Sequence, residues 1–261
     1  MSNTEVRYVF GADEAERIHA AEELLDDGSK RLIERLGISP GANCLEAGAG
    51  GGSIAAWLCE LVGPAGTVVA TDLDVRALEL LEAENLEVRR HDIVSEDLEI
   101  GHYDLVHARL FLEHLPARDA VLDKLVRALR PGGWILLESV DYQTAIPISD
   151  LGAADHAHTL GVRLREFKRL GLDTDLGRTL PARLRHQALE SVGNEGRVFV
   201  MEGGSPGARW FRISMAHLRT RLVGPGLLDD SEVDRMLELF DDPNWSAYSP
   251  IILAAWGQRR P

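Results

Sequence analysis

One stretch constrains this chain more than any other: Leu45-Glu46-Ala47-Gly48-Ala49-Gly50-Gly51-Gly52, where an apolar run meets four glycines within five residues. The apolar part reads as the end of a buried strand. Downstream, Ile54, Trp57, Leu58, Leu61 and Val62 recur at helical spacing with Ser53 as a plausible N-cap. Main chain without Cβ atoms, placed between a strand and a helix N-terminus, lets a ligand approach closely, and Glu46 just ahead offers a carboxylate to its polar edge. A nucleotide-type ligand is expected. The dinucleotide fingerprint G-x-G-x-x-G fits poorly: counted from Gly48 its third position is Ser53, and counted from Gly50 it is Ala55. The glycines alone leave the cofactor open.

Two further segments end in acids. Thr67-Val68-Val69-Ala70-Thr71-Asp72 is a short β-branched run, and Asp74 then opens an expected amphipathic helix carrying Ala77, Leu78 and Leu81. An acid at the tip of a second parallel strand is where a ribose diol donates two hydrogen bonds to a carboxylate. Its spacing from the glycines suits an NAD-type or an adenosyl-type ligand. Val88-Arg89-Arg90-His91-Asp92-Ile93 is a third such strand, whose exit acid can accept from an adenine amino group.

The remaining pattern is α/β. Residues 13–37 read as one or two helices closed by Gly37 and Ser39-Pro40-Gly41, after which strands and helices alternate to about Val140. That rhythm predicts a parallel sheet covered on both faces. Val121 to Leu129 forms the helix before the Pro131-Gly132-Gly133 turn. Beyond Asp141 the rhythm changes. Helices are expected over 155–170, 177–189, 210–218 and 232–240, with strands over 197–201 and 251–256. A chain of 261 residues with 45% apolar content accommodates one large domain carrying an insertion. A net charge of −14 disfavours a nucleic-acid partner, which needs a clustered positive field. No apolar run approaches the roughly 18 residues of a membrane span, and the polar start Met1-Ser2-Asn3-Thr4-Glu5 carries no leader pattern, so a cytoplasmic protein is expected. Cys44 and Cys59 read as reduced packing residues, with no metal site.

Taken together, these landmarks resemble the class I S-adenosylmethionine-dependent methyltransferases. The resemblance rests on Glu46-x-Gly48-x-Gly50-x-Gly52, Asp72, His91-Asp92-Ile93, Tyr103-Asp104-Leu105-Val106 leading to Glu113-His114-Leu115-Pro116, and Leu129-Arg130-Pro131-Gly132-Gly133-Trp134 before Ile135-Leu136-Leu137-Glu138. It covers about residues 40–140. It implies a Rossmann-like, seven-stranded, mostly parallel sheet with helices on both faces. The organisation it implies is an N-terminal helical lid over 1–40, an S-adenosyl-L-methionine-binding core over 41–145, and the rest of the sheet with an acceptor-binding cap over 146–261. In the family the sixth and seventh strands form a near hairpin. The long interval between Met201 and Ile251 therefore predicts a helical cap insertion over the strand C-termini. Glu46, Ala47, Gly48, Gly50 and Gly52 would approach the methionine half of the cofactor, and Ala108 and Arg109 would line that pocket. Asp72 would take the ribose hydroxyls, Leu73 would lie against the adenine face, and Asp92 with the Ile93 amide would read the adenine edge. Tyr8, beside Phe10 and with Arg17 of similar standing, would meet the cofactor carboxylate from the lid. Such a carboxylate-rich pocket suits a sulfonium and an ammonium, whereas the extra phosphate of NADP would want an arginine.

Methyl transfer to an acceptor is an in-line displacement with a neutral leaving group, so alignment matters most and a base is optional. His114, whose unperturbed pKa suits a base near neutrality, and Asp141 and Tyr142, just past the fifth strand, are the catalytic candidates. Their plainer readings are a helix cap, a loop turn and aromatic packing. Phe111, Trp210 and Phe211 are candidates for an apolar acceptor pocket or for core. His156 and His158, two apart in a helix, cannot share a face to bind metal, and Arg259-Arg260 is a solvated tail. The expected activity is methyl transfer to an oxygen or nitrogen of a small-molecule acceptor in secondary or quinone metabolism, with a homodimer as the possible assembly. Three alternatives stand: a non-methylating reaction on the same fold, a binding module without catalysis, and a nicotinamide-dependent dehydrogenase.

Overall fold

The computed structural model describes residues 15–260, so Tyr8 and Phe10 lie outside the described residues. A single helix, α1 (Ala15–Arg35), leads into β1 (Asn43–Ala47), α2 (Ser53–Val62), β2 (Thr67–Asp72), β3 (Leu86–Arg90) and β4 (Tyr103–Arg109). Next come α3 (Arg118–Ala128), β5 (Leu129–Asp141), the short β6 (Ile146–Pro147), α4 (Ala153–Arg169) and α5 (Leu176–Arg185). The chain closes with β7 (Leu189–Arg197), β8 (Val200–Glu202), α6 (Pro206–Val223), α7 (Asp230–Asp241), β9 (Ser246–Tyr248) and β10 (Ile251–Arg259).

Seven strands form one sheet in the order β3-β2-β1-β4-β5-β10-β7. The first five are parallel, and β10 runs antiparallel to both of its neighbours. Strand order reverses direction between β1 and β4, the switch point at which an open α/β sheet opens a crevice beyond its strand C-termini. Both faces are covered. On one, α2 buries Ile54, Ala55, Leu58 and Val62 against Cys44, Val68 and Leu105. On the other, α3 buries Val121, Leu122 and Leu125 against Leu45, Val106 and Ile135. At about 1.5–3 kcal/mol for each large apolar side chain removed from water, these two layers fix the strand tips that carry the acids.

A second core belongs to the cap. Met215, Leu218, Leu222, Val233, Met236, Phe240 and Trp245, from α6, α7 and the segment after it, pack with Val162 and Phe167 of α4. Under it lies a three-stranded sheet ordered β6-β9-β8, which continues the order β5-β10-β7 beyond a break in each strand.

Several expectations change. The sixth strand of the main sheet is Leu189–Arg197 rather than 197–201; it is an edge strand rich in Glu, Ser, Asn and Gly, so no apolar alternation marks it. The apolar Val200 and Met201 instead enter the second sheet. The helix expected after Asp74 shrinks to one 3-10 turn at Leu78–Leu80, with Leu80 left exposed and Asp74 bound to Arg76. Ser53 is not the N-cap of α2. Gly52 is, in the left-handed region at φ 88°, while the Ser53 hydroxyl donates to Asp26 at 3.0 Å.

Candidate functional site

Beyond the C-termini of β1, β2 and β4 lies a cleft of about 740 Å³, walled by the glycine turn, the end of β4 and the first turns of α1. A smaller recess continues from it between Asp72, Leu73, Asp92, Ile93 and Phe111. Gly48 (φ 70°) and Gly50 (φ 57°) sit in the left-handed region, and a Cβ on Gly48 would overlap the Phe111 ring. The turn is therefore held open to its neighbours by the missing side chains.

The three expected acids converge here. Asp72 Oδ2 accepts from the Gly50 amide at 3.0 Å and Oδ1 from the Asp74 amide at 3.1 Å, so its orientation is fixed while each oxygen has room for another donor. Asp92 accepts from the Ser95 hydroxyl (2.7 Å) and the Val94 amide (3.0 Å); the Ser95 bond first, then the amides, hold it below the usual carboxylate range. Glu46, buried at the tip of β1, lines the cleft with His107 Nδ1 2.6 Å from its Oε2. Leu73 and Ile93 border the recess on its apolar side. Arg109 lines the cleft but donates to Asp26 (2.8 Å) and Ser29 (2.9 Å) of α1, tying that helix across the site. Ala47 and Ala108 are buried in the strands behind the wall, and Gly52 lies under Leu78 and Leu81 as the helix cap, so these three shape the site without bordering it.

Of the catalytic candidates, His114 and Tyr142 line the cleft and Asp141 does not. Arg178 clamps Asp141 in a two-pronged ion pair (2.6 and 2.7 Å), and the buried carboxylate also caps the turn after β5 through the Gln143 amide. It is a structural anchor. Desolvation, aided by Arg17, holds the His114 imidazole down at about 3, so the expectation of a base poised near neutrality is not met. Burial, with the charge of Glu113 adding to it, pushes the Tyr142 phenol up. Phe111 borders the cleft, whereas Trp210 and Phe211 pack with Ala20, Leu25 and Ile252 as core. No group of three potential metal ligands occurs among the described residues, and both cysteines are free and buried.

Sequence reasoning missed the contribution of α1 beyond Arg17. Ile18, Ala21 and Glu22 also line the cleft, and Glu22 Oε1 accepts from the Ser53 amide at 3.3 Å. A carboxylate thus occupies the N-terminus of α2. A pyrophosphate seated there, as in the dinucleotide fold, would meet Glu22 and Asp26 instead of free amides. The i, i+4 spacing of 18 and 22 was a readable signal; the Glu22–Ser53 pairing was not. An adenosyl ligand bearing cationic groups fits this donor set, and a nicotinamide dinucleotide does not.

A family model described as a methyltransferase domain matches residues 17–176. The ubiquinone/menaquinone biosynthesis C-methyltransferase UbiE of Pseudomonas putida is 31% identical over 128 residues, 44% of this chain and 50% of that protein. Methyltransferase GfsG of Streptomyces halstedii is 30% identical over 120 residues, 43% of this chain and 42% of its own length. The chain spans about half the length of the curated relatives it matches. Among solved structures, phosphoethanolamine N-methyltransferase 2 of Haemonchus contortus, bound to phosphomonomethylethanolamine and S-adenosylhomocysteine, superposes with a TM-score of 0.61 at 13% identity, over 99% of this chain and 61% of that one. The [4+2]-cyclase SpnF superposes at 0.51 with 18% identity, over 90% and 81% of the two chains. Those structural likenesses establish the shared fold.

Proposed function

From the premise that this chain belongs to the class I S-adenosylmethionine-dependent methyltransferase family, we propose that it transfers a methyl group to an oxygen or nitrogen of a small-molecule acceptor. The observation that carries the reading is the charge pattern of the cleft: Glu46, Asp72 and Asp92 at three neighbouring strand ends, with Glu22 closing the α2 N-terminus to phosphate. When bound, S-adenosylmethionine supplies an electrophilic methyl on a cationic sulfur. Asp72 would hold the ribose diol, Asp92 and the Ile93 amide the adenine edge, and Glu46 the ammonium.

The acceptor side mixes apolar and polar groups. Ile18, Leu110 and Phe111 line the cleft together with Arg17, His114 and Tyr142, a lining that suits a small, partly aromatic molecule. Leu110 holds this wall in a left-handed conformation (φ 52°) rare for its residue type, and its amide donates to the Glu138 carbonyl at 2.9 Å. His114 and Tyr142 are both held away from the neutral range, so they orient an acceptor more readily than they deprotonate it. An amine or an already acidic hydroxyl is the acceptor chemistry this supports. The likeness to a ubiquinone/menaquinone biosynthesis C-methyltransferase supports a role in quinone or secondary metabolism. No described helix is long and apolar enough to cross a membrane.

Two measurements test the reading. Calorimetry and thermal shift should detect S-adenosylmethionine and S-adenosylhomocysteine and ignore NAD, since a ligand stabilises only the state it binds. Turnover with candidate acceptors should yield S-adenosylhomocysteine. Stabilisation by NAD instead would sink the assignment, and release of methylthioadenosine would replace transfer with a displacement on the cofactor itself.

A further inference from the structure

Behind the cleft wall runs a row of charge of which the functional reading uses only the Glu46 end. Glu46 and His107 stand opposite each other in the β1–β4 register. Glu46 Oε2 lies 2.6 Å from His107 Nδ1, and His107 Nε2 lies 3.2 Å from Glu138 Oε1 on β5. The second oxygen of Glu138 accepts from Arg197 at the end of β7. His107 is 0% exposed, Glu138 2% and Glu46 4%. The row crosses the sheet beneath α1, and that helix is shaped for it: a Cβ on Gly28 would overlap the Arg197 guanidinium.

Each ring nitrogen of His107 faces a carboxylate oxygen. A neutral imidazole has one N–H and would turn a lone pair towards one of the two carboxylates, so the arrangement calls for both nitrogens to donate. Two carboxylates, an imidazolium and a guanidinium then sum to zero charge, with His107 and both carboxylates buried, which is how buried ions persist. The charged groups around the ring are Glu46 from β1, Glu138 from β5 and Arg197 from β7, with Arg109 two residues along β4 and Arg31 of α1 beyond Glu195.

We infer that His107 is a positioning residue for cofactor recognition: by anchoring one carboxylate oxygen of Glu46, it holds that side chain at the cleft, aimed at the amino-acid ammonium of the adenosyl ligand. This rests on the reading of the cleft as an S-adenosylmethionine site. Glu46 is the one member of the row that borders the cleft. His107 and Glu138 act through it, and Arg197 secures the far end. The device confers selectivity for ligands that carry the amino-acid group over adenosyl thioethers that lack it.

Calorimetry on the full chain tests this with two probes, S-adenosylhomocysteine and 5′-methylthioadenosine, which share the adenosyl thioether and differ in the amino-acid group. His107→Gln should weaken S-adenosylhomocysteine at least about tenfold, the scale of one charge-assisted hydrogen bond, and leave methylthioadenosine within about twofold. Glu138→Gln leaves a ring that can still donate from Nδ1 to Glu46, so it should weaken S-adenosylhomocysteine by less than His107→Gln does and leave methylthioadenosine within about twofold. On the unsubstituted protein, nitrogen-15 NMR of the histidine rings near neutral pH should show His107 protonated on both nitrogens, a readout independent of any variant's folding. Equal losses for the two probes in His107→Gln, or a His107 ring without a proton on Nδ1, would overturn this inference while leaving the functional reading in place. Failure of the unsubstituted protein to bind S-adenosylhomocysteine overturns both.

Discussion

Asp72 earns its place by geometry as much as by charge. Two backbone amides fix its carboxylate, so a ribose diol would meet an acceptor that needs no reorganisation. Asp72→Ala should weaken S-adenosylhomocysteine by about 1.5–3 kcal/mol, the range for hydrogen bonds to a charged group; calorimetric affinity unchanged from wild type would mean the ribose lies elsewhere. Gly48→Ala asks for two concessions, a left-handed backbone at φ 70° with a Cβ present and a shift of the Phe111 ring. A loss of roughly 1–2 kcal/mol of stability is expected, measured by urea denaturation, together with weaker adenosyl binding. The acids at positions 46, 72 and 92 were legible in the sequence because chemistry at strand tips follows from local pattern. His107 and Glu22 were not, since one acts through cross-strand register and the other through the docking of α1. Asp141 misled for the converse reason: its position after a strand said cleft, and its partner Arg178, thirty-seven residues away, decided otherwise.

Among the elements, α1 shows how a helix can be tuned to what lies under it. Glycine in a helix interior costs about 1 kcal/mol relative to alanine, so Gly28→Ala would stabilise an isolated α1. In the folded protein the added methyl would overlap the Arg197 guanidinium and push it from the buried Glu138; losing one partner of a fully buried pair costs about 3–5 kcal/mol, and the half-buried Arg197 puts the cost here below that. Gly28→Ala should therefore destabilise by about 2 kcal/mol or more in chemical denaturation; a stabilised variant would show that Arg197 relocates freely. Element by element, the sequence was most readable where burial is two-sided. The parallel strands β1, β2, β4 and β5 and the helices α2, α3, α6 and α7 announce themselves through apolar runs or helical spacing. The edge strand β7 does not, because Leu189 is its one fully buried side chain and Gly193 is there to accommodate Trp256, whose ring a Cβ would meet at 2.6 Å. The cap insertion was readable from the interval between Met201 and Ile251 set against the family's near hairpin, whereas the extension of three strands into the β6-β9-β8 sheet was not, since two- and three-residue strands carry no period.

For the whole molecule, the buried titratable groups set opposing slopes on the stability curve. Burial, with Asp173 adding to it, pushes Glu113 up to about 7, above the ordinary glutamate value of the unfolded chain. Between those two values the native state holds the extra proton, so stability falls as pH rises through that window and then levels off. Burial alone would lower His107, but Glu46 and Glu138 outweigh it and raise the ring; its contribution is complete below the unfolded histidine value and is lost as pH climbs through the raised one. Desolvation does the opposite to His114 (about 3) and His156 (about 4), each aided by a neighbouring arginine. These two bind fewer protons folded than unfolded below about pH 6.5, so their contribution disappears as the solution is acidified. Burial would raise Glu138, yet His107 and Arg197 hold it low, which adds to the acid-side loss. The maximum should fall between the acid limb of His114 and His156 and the alkaline limb of His107, near pH 6. Glu113→Gln discriminates among these contributions: a neutral amide of similar shape removes only the Glu113 slope. Its stability relative to wild type should rise between about pH 5 and 7 and stay higher above it, by up to about 3 kcal/mol, as read from urea midpoints across pH. A variant that tracks wild type in parallel through that window would show that Glu113 is ionised in the native protein, and that the alkaline limb belongs to His107 alone.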